Sequence, residues 1–163
     1  CLLIPVRKFG GWGKWTASAA AVLGGSHDVT ASVCAAGFDT PLGLMRQTAR
    51  RWCGPVAELG VPFLWLDQQL RFGTAANVSG AEAAAASGVP VLVLHGADDD
   101  TIPADGPSLL AACQKENAPN IRTVLLPGET HTSLLHDAQG RCSEAVFAQT
   151  DAFYAAALAD GAG

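Results

Sequence analysis

Apolar positions along this chain come in short continuous runs, separated by longer stretches with helix-like spacing. The clearest run is "PVLVLHG" (90–96), where unbroken apolar residues bounded by turn formers read as a strand buried on both faces. "LLIPV" (2–6), "VTASVCAAGFD" (29–39) and "IRTVLLPG" (121–128) read as three more strands, with Pro5 limiting the ladder bonds of the first. Between and after them, "KWTASAAAVLG" (14–24), "PSLLAACQK" (107–115) and "SEAVFAQTDAFYAAALA" (143–159) predict helices. The first of these closes on Gly24 and Gly25, and the second carries a proline in its first turn. Strands alternating with helices predict an α/β fold with a mostly parallel sheet and flanking helices on both faces.

The stretch 41–88 breaks this rhythm. "PLGLMRQTARRWCG", "PFLWLDQQLRFG" and "SGAEAAAASG" are helix-like pieces broken by glycine and proline, with no strand pattern. So long an excursion between neighbouring strands predicts a helical cap insertion over the sheet edge. The alternative is a set of helices that only pads the fold.

Composition narrows the class. With 163 residues, 49% of them apolar and only 15% charged, the chain suits one globular domain with a core, not a disordered segment. A net charge of −5 without any basic stripe argues against nucleic acid as a partner. No apolar run approaches the ~18 residues of a membrane span. Cys1, Cys34, Cys53, Cys113 and Cys142 are widely spaced and form no C-x-x-C pair, which fits small buried residues better than a zinc site or a disulfide framework. That usage favours a reducing cytoplasm while leaving room for one or two bridges.

Candidate chemistry gathers after two strands. In "PVLVLHGADDDTIPADG" (90–106), three carboxylates follow a buried strand, and in "VLLPGETHTSLLHD" (124–137) a histidine follows the next one. Groups at the carboxyl ends of parallel strands sit where α/β proteins build sites. An acid and a histidine on adjacent strand ends form two thirds of a nucleophile–histidine–acid triad.

These motifs resemble the α/β-hydrolase superfamily, and specifically its C-terminal half. The family's acid motif runs HG-x-x-D-x-x-hydrophobic-P, so "HGADDDTIP" assigns the acid to Asp99, with Asp98 or Asp100 selected by a one-residue shift. Its histidine sits in a glycine-led loop after the last strand, and "GETHTS" puts His131 there. "KFGGWGKWTAS" (8–18) resembles the nucleophile elbow, with Gly11 where the family has serine and the Trp12 N–H as an oxyanion donor. A shifted register puts Lys8 at that position instead, and neither register supplies a nucleophile.

The resemblance implies hydrolysis of an ester, amide or similar acyl bond in a small-molecule substrate, with His131 as base, Asp99 fixing its tautomer, and no metal or cofactor. It also implies that residues 1–163 are a single incomplete domain, a fragment lacking the family's first strands and inactive as written. The apolar edge at 2–6 is then left bare and open to self-association. The alternative reading is a non-catalytic module that binds a ligand or partner.

Other features take plainer roles. His95 reads as packing and turn formation, and His27 and His136 as surface residues. Ser18, Ser26 and Ser133 follow no strand at a glycine elbow and are not nucleophiles. Trp12, Trp52, Trp65 and Phe72 either line an acyl pocket or pack the cap. "DDDT" (98–101) lacks the placement of a phosphoryl-accepting aspartate, and it lacks the oxygen spacing of a calcium loop.

Overall fold

A computed structural model describes residues 29, 31–73, 76, 78–134, 136 and 143–160. Among them three strands, β1 (Ser32–Ala35), β2 (Val91–Gly96) and β3 (Ile121–Leu126), form one parallel sheet in the order β1-β2-β3. Five helices accompany it: α1 (Pro41–Cys53), α2 (Val61–Phe72), α3 (Gly80–Ser87), α4 (Leu109–Glu116) and α5 (Glu144–Asp160). A 3₁₀ turn over Pro55–Gly60 joins α1 to α2. The expected α/β class with a parallel sheet therefore holds. The strand expected at 2–6 and the helix at 14–24 lie outside the described residues.

Side-chain alternation along the strands sorts the core into two layers. Val91 and Val93 of β2 point to one face and pack with Cys34, Ala81, Ala84, Leu109, Leu110 and Cys113, which brings α3 and α4 onto that side. Leu92 and Leu94 point to the other and pack with Val33, Leu126, Leu134 and Phe153, which brings in α5. The unbroken apolar run of β2 thus has a direct cause, because both of its faces are covered and all six of its residues are buried.

Helix ends follow local rules, with one shift from expectation. Ser108, not Pro107, starts α4: its hydroxyl accepts the Ala111 N–H at 3.0 Å, and Pro107 stands just before the cap. Thr40 caps α1 by accepting from the Gly43 N–H, with Pro41 in the first turn. Ser79 caps α3 by accepting from the Glu82 N–H. Asp39 reinforces that end, its Oδ1 accepting from the Ser79 hydroxyl at 2.7 Å and the Ala81 N–H at 3.0 Å.

The long excursion divides in two. α1, the 3₁₀ turn and α2 pack chiefly on one another, whereas α3 lies on the sheet with Ala81 and Ala84 in its core. Within the first group α2 is apolar on opposite sides. Val61 is buried and Trp65 half-buried on the side toward α1, while Phe63, Leu66 and Leu70 lie exposed on the other.

The cysteines give the core a chemical readout. Burial raises the Cys34 thiol pKa. Burial also pushes Cys113 from 9.0 to about 12, helped by the nearby Cys34, Asp39 and Glu116. Folded protein keeps these protons where the unfolded chain has lost them. The stability they confer is therefore complete below pH 9.0 and is lost as pH rises toward about 12. Urea midpoints should fall across that window, and less steeply in Cys113→Ala. At neutral pH, alkylation mapped by mass spectrometry should modify the exposed Cys53 and spare Cys34 and Cys113 until the chain unfolds.

Candidate active site

The site begins with strand register. In the parallel β2–β3 ladder His95 pairs with Leu125 and Gly96 with Leu126, so both strands end at the same level and their loops leave side by side. The loops then interlock through the backbone. The Ala97 N–H donates to the Leu126 carbonyl at 2.9 Å, and the Asp98 N–H donates to the Glu129 carbonyl at 3.0 Å. This contact is so close that a Cβ on residue 96 would lie 2.1 Å from the Glu129 carbonyl oxygen. Gly96 is required here by proximity.

Asp99 sits in the turn that follows and is 3% exposed. Its Oδ1 accepts the backbone N–H of Thr101 at 2.9 Å and of Ile102 at 2.8 Å, an Asx turn that fixes the carboxylate plane. Its Oδ2 lies 2.8 Å from His131 Nδ1. Because a carboxylate only accepts, Nδ1 carries the proton and the Nε2 lone pair of His131 is left to take another. His131 is partly exposed, with 29% of its side chain accessible, and it makes no further hydrogen bond among the described residues.

His95 contributes a second imidazole from beneath. It is fully buried, and its Nε2 donates to the Ile102 carbonyl at 2.8 Å while standing 3.4 Å from Asp99 Oδ2. A carbonyl cannot donate, so the proton is on Nε2, and the buried Nδ1 has no partner among the described residues. The packing and turn role expected of His95 thus has a specific form: it closes the turn that presents Asp99.

The histidine loop has its own clamp. Glu129 accepts the Ser133 hydroxyl on Oε2 at 2.6 Å and the Ser143 hydroxyl on Oε1, tying the loop to the start of α5. Ser133 in turn accepts the Thr130 N–H at 2.7 Å. No periodic spacing in the sequence points to Glu129; its sign there is the pair of serines that follow it, Ser133 and Ser143. The acid loop is held from the helical side as well. Gln47 of α1 donates to the Thr101 carbonyl, and Arg51 pairs with Asp100 at 3.2 Å.

Of the acids left open by the sequence, the structure brings Asp99 to His131. Asp98 and Asp100 are exposed. His136 is exposed, and Trp52 lies open to solvent at 78%. Gly11, Trp12, Lys8, His27, Ser18 and Ser26 lie outside the described residues, so the elbow and oxyanion assignments have no geometry here. Among the described residues no group of three or more His, Cys, Asp and Glu side chains is placed to hold a metal ion. No helix among them is long and apolar enough to cross a membrane. Compared with known proteins, the chain matches no family model and no curated protein sequence.

Two glycines separate the constraints on this site. Gly96→Ala forces the Glu129 backbone to move and should destabilise by about 3 kcal/mol or more, with loss of the Asp99–His131 bond. Gly128 has φ +76° but open space around its Cβ direction, so Gly128→Ala should cost only about 1–2 kcal/mol. Urea denaturation of both variants checks the order.

Proposed function

We propose that this chain derives from an α/β-hydrolase of the serine-hydrolase type, acting on an ester, amide or similar acyl bond. The observation that carries this reading is the 2.8 Å contact between His131 Nδ1 and Asp99 Oδ2, at the carboxyl ends of adjacent parallel strands. In that role Asp99 holds the imidazole in one tautomer and offsets the charge that forms when Nε2 accepts a proton. A nucleophilic hydroxyl would lose its proton to His131 Nε2 as it attacked the acyl carbon. The leaving group would then collect that proton, and water would release the acyl group by the same route in reverse. The reading places the nucleophile at position 11, where this chain has glycine. As written, the pair has only water to deprotonate, and the chain should be a poor catalyst.

Restoring the hydroxyl tests this directly. Gly11→Ser should hydrolyse p-nitrophenyl acetate well above the unchanged chain. Adding His131→Ala should remove about a hundredfold or more of the gain. Asp99→Asn should lower it too, because asparagine can donate to Nδ1 and favour the unproductive tautomer. A Gly11→Ser chain that folds and gains no His131-dependent turnover would defeat the proposal.

A second reading, a non-catalytic binding module, draws on the surface of the helical segment. Trp52, Phe63 and Leu70 are each more than three-quarters exposed at 78, 77 and 79%. That much exposed apolar area on the helical segment suits contact with a ligand or partner. Under this reading Gly11→Ser would leave the chain without activity.

A further inference from the structure

The helical segment carries a half-open concavity whose lining residues take no part in the acid–histidine pair. Between α1 and α2 lies a cavity of about 350 Å³. Leu42, Val61 and Trp65 supply apolar wall, and Arg46, Arg50 and Glu58 supply charge. The volume lies in the range of small-molecule sites, which combine apolar lining with a few orienting polar groups. The charges are not equivalent. Arg50 is taken up by Glu58, to which its guanidinium donates at 3.0 Å. Arg46 is exposed and has neither a hydrogen bond nor an ion pair among the described residues, which leaves one net positive charge among the lining residues.

Helical spacing separates the jobs of α1. Leu42, Arg46 and Arg50 recur every four residues and line the cavity, while Gln47 and Arg51, one position on, hold the acid loop through Thr101 and Asp100. The two faces are neighbours on one helix. The cavity residues are therefore free of the duty of holding the site.

We infer that this cleft binds an amphipathic monocarboxylate, with Arg46 on the carboxylate and the apolar body against Leu42, Val61 and Trp65. A planar guanidinium with five donors matches a carboxylate in a two-point contact. A single unpaired cation balances one negative charge, which favours a monoanion over a phosphate dianion. The inference does not depend on the hydrolytic reading, since the carboxylate binds whether or not it is a substrate.

Calorimetric titration of the full chain with octanoate tests it, with octanol, octylammonium and octyl phosphate as matched probes. Octanoate should bind saturably and weaken as salt rises. Octanol should bind at least about fivefold more weakly, and octylammonium not at all. Arg46→Ala should lower octanoate affinity by a similar factor and leave octanol unchanged, whereas Arg46→Lys should recover part of the loss. Circular dichroism checks that each variant is folded, and the ligand series stands even if none is. Absence of octanoate binding would overturn the inference, as would octanol binding equally well or tighter binding of octyl phosphate. Octanoate binding insensitive to Arg46→Ala in a folded chain would overturn it too.

Discussion

The contact between Gly96 and the Glu129 carbonyl is the constraint on which the site depends. Two parallel strands that end in register leave their loops about one strand spacing apart, which is too far to specify side-chain geometry. Here the loops are drawn into main-chain contact, with Asp98 bonded to Glu129 and Ala97 to Leu126. A side chain at position 96 would prop them apart. With the backbones joined, the reach from Asp99 to His131 needs no long flexible side chain and costs little rotamer entropy. The acid's other oxygen accepts two N–H groups of its own turn, which orient the carboxylate.

Around this joint the supports come from separate parts of the chain. His95 rises from inside β2 and closes the acid turn from below. Glu129 gathers one hydroxyl from within the histidine loop and one from its far end, and so anchors it to α5. α1 reaches across with Gln47 and Arg51. The last of these is exposed on both sides and adds little energy. Its contribution is to relate the helical segment to the loop.

How much of this could be read from residues varies with the kind of force involved. β2 was plain because a strand covered on both faces has no polar positions to disguise it. α5 was plain from its length. β1 was overextended: apolar residues run on to Phe38, but at Ala36 the backbone turns to φ +51° and leaves the sheet. Ala36 and Gly37 stay buried in the loop, so burial outlasts the strand there. The excursion after β1 was visible as helices, yet its sequence did not reveal that α3 belongs to the sheet layer. Small alanines allow close packing without announcing a face. Among three consecutive aspartates, residue type cannot choose; the Thr101 and Ile102 amides do. The Glu129 clamp joins residues up to 14 positions apart, and no pattern rule spans that interval.

The ladder that joins β3 to the buried β2 has a consequence for how the site fails on heating. Loops fray at low free energy in most proteins, while central strands open only with the whole molecule. Acid and histidine are here attached directly to the ends of the most buried strand and its neighbour, and are stapled to each other by the main chain. Their loss should then follow the cooperative melting of the sheet and not precede it. On a calorimetric scan, the pair and the core would disappear as one event, so the geometry of the site doubles as an internal marker of whether the domain is folded.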